Sequence, residues 1–210
     1  EVVAIHGNFD DAQSAVKRIF TDEETRAKLD RDGMMLSSAN SINWGRLAPQ
    51  IAYYVSAYCD MVKSGAVKMG EKINICVPTG NFGNILAAYI AKRMGLPVNK
   101  FICASNRNNV LTDFFKNSGT YDKNRDFYTT TSPSMDILIS SNLERLLFFA
   151  SDFNDKLVAE LMQRLTTEGS YQAPEAVFAK IAADFDAGCC DDKQTAETIR
   201  ALWENEHYLS

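Results

Sequence analysis

Histidine is nearly absent from this sequence. The 210 residues contain two, His6 and His207, near opposite ends, which excludes a multi-histidine metal site and gives a Ser-His-Asp hydrolase little support. Long apolar runs are missing as well. Stretches such as Leu146–Ala150 fall far short of the roughly 20 residues a membrane-spanning helix needs, so no membrane partner is expected. The five cysteines, Cys59, Cys76, Cys103, Cys189 and Cys190, are odd in number and lack metal-ligand spacing. They read mostly as small hydrophobes in a reduced, cytoplasmic protein that holds no metal. Excess positive charge is also absent: 22 Lys and Arg stand against 27 Asp and Glu, a net charge of -5. The long-range field therefore disfavours a nucleic-acid partner.

What remains is a folded, globular chain, 46% hydrophobic and 23% charged, with no internal repeat. At this length roughly 70% of the unfolded surface can be buried, so a substantial core is available. Val2–Ile5 reads as a buried strand that begins abruptly, and the start looks cut. Asp10 or Asp11 is placed to cap a helix carrying Ala12, Ala15, Val16, Ile19 and Phe20, and a second helix is expected from Asp22 to Asp30. A shift to polar residues at Ser37–Ser41 marks a domain crossing, giving residues 1–39 and 40–210 as two units. Apolar residues at three- and four-residue spacing predict one long helix from Ile42 to Val62. Buried strands are expected at Lys72–Pro78 and Val98–Ala104, each followed by a helix, and that order implies an α/β fold with a parallel sheet. The polar stretch 117–134 is longer than an ordinary connection and reads as a functional loop. Helical patterns follow at Phe153–Thr166, Pro174–Phe185 and Lys193–Glu204.

Chemistry concentrates at two places. Gly80-Asn81-Phe82-Gly83-Asn84 lies between a strand and a helix, where unpaired N–H groups and the positive end of the helix dipole favour an anion, and where glycines let the backbone approach a phosphate. The alternative is a tight turn with Asn84 as N-cap. Gly83 is followed by Asn84 and Ile85 rather than Lys and Ser or Thr, and the G-x-G-x-x-G pattern is lacking, so neither a P-loop nor a dinucleotide site is indicated. A single phosphate on a small molecule fits better. The second place, Ser38–Leu47, collects amide, hydroxyl and guanidinium donors at a helix entry, with Asn40, Ser41 and Arg46 as candidates for a second phosphate or a carboxylate. There too the alternative is plain: Asn40 or Ser41 caps the helix and Arg46 is solvated. Cys189–Cys190, His6 and the Asp10–Asp11 pair read as structural.

Gly7–Gln13, Ser38–Leu47 with Gln50, Thr79–Asn84 and Ser132–Ile137 occur in the same order as in bacterial threonine synthases, and this chain closely resembles that family up to about Ala150. The resemblance implies a partial fold-type II pyridoxal-phosphate enzyme, a three-layer α/β arrangement like the tryptophan synthase β-subunit. It implies pyridoxal 5'-phosphate as cofactor, held by Gly80, Asn81, Phe82, Gly83 and Asn84. It also implies O-phosphohomoserine as substrate, its phosphate contacted by Asn40, Ser41 and Arg46, and L-threonine and phosphate as products. The resemblance gives Ser134 and Asp136 no role, and helix capping is expected of them. The family's Schiff-base lysine lies in a segment upstream of Val2, and none of Lys17, Lys72, Lys92 or Lys100 looks like a replacement. The chain alone is therefore expected to be inactive, and surface left open by truncation is a candidate for contacts between copies. A serine or threonine dehydratase and a non-catalytic phosphate-binding module are the alternatives.

Overall fold

The computed structural model describes residues 4–7, 9–37 and 40–208. Val2 and Val3 of the strand expected at Val2–Ile5 lie outside those residues, and the described Ala4 and Ile5 are exposed and belong to no regular element. Helix α1 (Phe9–Thr21) begins before Asp10 and Asp11, so these sit in its first turn rather than at its cap. Asp22 caps α2 (Glu23–Arg31) by accepting from the Thr25 N–H at 2.8 Å. Hydrogen bonds from the Thr25 side chain and backbone hold the Asp22 carboxyl below its ordinary range.

The long helix expected from Ile42 to Val62 is divided into α3 (Trp44–Leu47), a 3-10 turn (Ala48–Gln50) and α4 (Ile51–Lys63). Pro49 lies in that turn; its fixed φ and missing N–H favour a local tightening of the helix. Asn43, not Asn40 or Ser41, is the cap, accepting from the Gly45 N–H at 2.9 Å. Strand β1 (Ile73–Pro78), α5 (Gly83–Arg93), β2 (Val98–Ser105) and α6 (Val110–Lys116) follow in the expected order. Beyond them come β3 (Thr120–Asp122), a 3-10 turn at Pro133–Met135, α7 (Leu143–Ala150), α8 (Asp155–Thr167), β4 (Ser170–Gln172), α9 (Glu175–Asp184), β5 (Phe185–Cys189) and α10 (Asp192–Glu206).

β1, β2 and β5 form a parallel sheet in that order, with Val77 opposite Cys103 and Cys103 opposite Ala187. Val77, Phe101, Cys103, Phe185 and Ala187 are buried in a core shared with Leu86, Phe114 and Leu147 from the helices. The alternate residues Cys76, Pro78, Asp186 and Gly188 are exposed. β1 is thus half-buried rather than fully buried, and the parallel sheet with its packed helices is the α/β arrangement expected. β5 was not foreseen, because its residues continue a helical pattern and include Asp186 and Gly188, which have low strand propensity. Pairing with β2 and burial of Phe185 decide its conformation: the Phe185 ring lies 5.0 Å from that of Phe101 and 5.4 Å from that of Phe115, centroid to centroid. β3 and β4 pair antiparallel across a wide sequence gap, and the Tyr121 and Tyr171 rings stack at 5.3 Å.

Among the described residues no helix is long and apolar enough to cross a membrane, and no group of His, Cys, Asp or Glu is placed to hold a metal. All five cysteines are free, and Cys103 alone is buried. Burial pushes its thiol up to about 12, so at pH 8 it stays protonated and shielded, and a thiolate is the reactive form. Brief treatment of the native protein with iodoacetamide is expected to modify the exposed cysteines and spare Cys103 until denaturant is added. Equal labelling of Cys103 in the native state, read by peptide mass mapping, would contradict the burial.

Candidate functional site

β1 ends at Pro78 and the chain turns through Thr79–Phe82 into α5. Phe82 is the residue that precedes the helix, at φ 62° in the left-handed region, a conformation that costs a non-glycine residue about 1–2 kcal/mol. Its ring is 1% exposed and packs 5.8 Å from Phe185 and 6.2 Å from Phe115, and this burial offsets the strain. No side chain caps α5, so its first N–H groups remain open to a ligand at the positive end of the dipole. Asn84, the cap in the alternative sequence reading, instead donates from Nδ2 to Gln50 Oε1 at 2.9 Å and accepts from the Tyr54 hydroxyl. Burial pushes the Tyr54 phenol up to about 12, which keeps it a donor throughout the neutral range.

A cavity of about 260 Å³ opens at this loop. Gly80, Asn81, Phe82, Gly83 and Asn84 all line it, with Thr79, Ser41, Gln50 and Ser134 among the remaining walls and no carboxylate or lysine. The glycines serve close approach. A Cβ on Gly80 would stand 2.6 Å from the Ser134 carbonyl oxygen, and one on Gly83 would stand 2.9 Å from Ser41 Cβ. Two segments remote in sequence therefore close directly on the loop.

Of the residues expected at the second phosphate site, only Ser41 reaches the cavity lining. The Asn40 side-chain oxygen accepts from the Ile42 N–H at 3.2 Å and the Ser41 hydroxyl at 3.3 Å. Arg46 is exposed and outside the lining. Ser38 and Ala39 lie outside the described residues.

Sequence reasoning missed Ser140, Ser141, Asn142 and Arg145. The Ser140 hydroxyl donates to the Gly80 carbonyl at 2.8 Å, and that of Ser141 to Asn81 Oδ1 at 3.3 Å. Asn142 donates to the Asn81 carbonyl from its backbone N at 3.1 Å and from Nδ2 at 2.9 Å. Its Nδ2 also reaches Ser41 Oγ at 3.2 Å, and Arg145 donates to the Ile42 carbonyl at 2.7 Å. The available signal was a polar run, Ser140-Ser141-Asn142, entering an apolar helix.

Asp136 is buried and does not cap the helix that follows, contrary to expectation, since Asn142 precedes α7. Its Oδ1 accepts from Asn106 Nδ2 at 2.6 Å, Thr130 Oγ1 at 2.8 Å and Asn108 Nδ2 at 3.0 Å, and its Oδ2 from the Thr130 N–H at 3.0 Å. This carboxylate fixes the stretch that carries Ser134 against Gly80. The other polar residues of 117–134 do different work: Tyr121 is in the core, Arg125 pairs with Asp113 at 2.6 Å, and the Tyr128 ring lies 3.7 Å beneath the Arg107 guanidinium.

No family model matches the sequence. Over 209 residues it is 46% identical to human threonine synthase-like 1, covering 99% of this chain and 28% of that protein. Over 210 residues it is 40% identical to the threonine synthase of Pseudomonas aeruginosa, covering 99% of this chain and 42% of that protein. Its fold superposes on the PLP-bound threonine synthase of Brucella melitensis with a TM-score of 0.83 and 42% identity, over 98% of this chain and 42% of that one. The chain is homologous to threonine synthases. It spans less than half the length of these relatives, and its α/β fold is that of the corresponding part of a threonine synthase.

Proposed function

We propose that this chain is the phosphate-binding portion of a pyridoxal 5'-phosphate-dependent carbon–oxygen lyase, a threonine synthase that converts O-phosphohomoserine and water to L-threonine and phosphate. The observation that carries the reading is the uncapped start of α5 behind Gly80 and Gly83, opening into a cavity whose lining includes no carboxylate. A phosphate monoester fits that donor set. Backbone N–H groups and hydroxyls supply hydrogen bonds, the helix dipole supplies positive potential, and no fixed negative charge opposes the ligand. When bound, the cofactor supplies the electron sink for elimination of the substrate's phosphate.

The roles proposed for the protein groups are these. Gly80–Asn84 hold the cofactor phosphate through the backbone, and the Asn84 side chain, engaged by Gln50 and Tyr54, keeps the first turn of α5 in place. The segment Asn40–Arg46 faces the substrate's phosphate, with Ser41 at the wall and Arg46 as its cation. Residues 1–39 belong to a smaller unit and 40–210 to the larger, cofactor-holding one. The catalytic lysine comes from outside these residues. The free thiols accord with the cytoplasm.

Titration of the purified chain with pyridoxal 5'-phosphate, followed by borohydride reduction and peptide mapping, tests the reading. Saturable, reversible binding without a stoichiometric adduct at one lysine, and no threonine formed from O-phosphohomoserine, are the expected results. No saturable binding would overturn the phosphate assignment. A single stoichiometric adduct, or turnover, would move the catalytic lysine into this chain.

A further inference from the structure

Asn142 stands where three segments meet, and its side chain is fully buried. Although it immediately precedes α7, its side chain does not cap that helix. Its donors go to the Asn81 carbonyl and to Ser41 Oγ, while its Oδ1 accepts from Arg145 Nη1 at 2.8 Å. Two of the donors, backbone N and Nδ2, converge on the one carbonyl of Asn81.

That carbonyl belongs to the peptide joining Asn81 to Phe82, a bond that is trans like every peptide described. In a trans peptide the C=O and N–H point in opposite directions. Holding the Asn81 oxygen against Asn142 therefore turns the Phe82 N–H the other way. A half-turn of this peptide would exchange the two groups and carry φ of Phe82 from 62° to about -120°, which with ψ at 6° is the bridge region where residue i+2 of a type I turn sits, free of the left-handed cost. Backbone strain favours the flip, and the flipped peptide would present a carbonyl oxygen where a phosphate needs a donor. Burial of the Phe82 ring restrains the side chain but does not choose between the two peptide orientations. The paired donors of Asn142 do.

We propose that Asn142 is a positioning residue for the phosphate cradle, holding the Asn81–Phe82 peptide so that its N–H, and not its C=O, faces a bound phosphate monoester. This rests on the phosphate assignment above, and the experiment separates the two. Affinities for pyridoxal 5'-phosphate and for pyridoxal, which lacks the phosphate, are measured on the full chain, on Asn142→Ala and on Asn142→Ser, with circular dichroism as the check of folding. Asn142→Ala is expected to bind pyridoxal 5'-phosphate about tenfold more weakly, the effect of one lost hydrogen bond, with pyridoxal affinity unchanged. Asn142→Ser, which keeps a hydroxyl donor, is expected to recover part of the loss. If the full chain does not prefer the phosphorylated form, both the phosphate assignment and this proposal fail. If it does, and the ratio of affinities is the same in Asn142→Ala, this proposal alone fails. Unfolding of both variants would assign Asn142 to stability and also overturn it.

Discussion

Asp136→Ala is expected to lower the thermal midpoint by about 6–12 °C, the shift that about 3 kcal/mol produces in a chain of this size. The carboxylate is 7% exposed and accepts four hydrogen bonds from Asn106, Asn108 and Thr130. Truncation strands those donors in a buried setting, and a buried donor without a partner costs about 1–3 kcal/mol. Some relaxation toward water keeps the total near the upper end for one group rather than the sum over four. Asp136→Asn should fall between wild type and Ala: its amide oxygen still accepts, but its NH2 then meets the Thr130 N–H. A midpoint within 2 °C of wild type for the alanine variant, roughly the scan's sensitivity to 0.5 kcal/mol, would show that the network contributes little. Ser134 rides on the same stretch, so loss of stability should be accompanied by weaker ligand binding at the Gly80 loop.

Gly83→Ala is expected to weaken binding of pyridoxal 5'-phosphate by about tenfold or more, the equivalent of about 1.4 kcal/mol. Gly83 has no special backbone conformation that alanine could not adopt, and alanine at a helix start would ordinarily help by up to about 1 kcal/mol. Space decides the sign. The new Cβ would lie 2.9 Å from Ser41 Cβ and 3.3 Å from Ser41 Oγ, and overpacking of this kind costs about 1–3 kcal/mol. Either the Ser41 segment or the loop must retreat, and the cavity between them changes shape. Adding Ser41→Gly removes the atoms that collide, so the double variant should regain most of the affinity. Failure of that second change to restore binding would place the cause elsewhere on the loop.

The legible parts of this protein were those written in local pattern. Apolar runs bounded by glycine and proline gave β1, α5 and β2, and the Gly80–Asn84 sequence lies between a strand and a helix as expected and lines a cavity. The donor segment at Ser38–Leu47 was also visible, and Ser41 from it does reach the cavity. Local pattern misled where one residue was read by type alone. Asn84 has the composition of a cap, yet Phe82 takes the helix-start position and Asn84 bonds sideways to Gln50 and Tyr54. Asp136 likewise has the look of a cap and is instead the acceptor at the centre of a buried network.

By itself the sequence determined the order of strand and helix, the acidic balance, and the glycine-bearing turn between β1 and α5, because each depends on neighbours within a few residues. Only the tertiary structure decided that Phe185–Cys189 is a strand, since its low propensity is overcome by pairing with β2 and by the burial of Phe185. It alone brought Ser41, Gly83 and Asn142 into contact across separations of 42 to 101 residues. The physical reason is the same for all three: a buried donor or a close-packed glycine acquires its meaning from the group that faces it, and that group is remote in the chain.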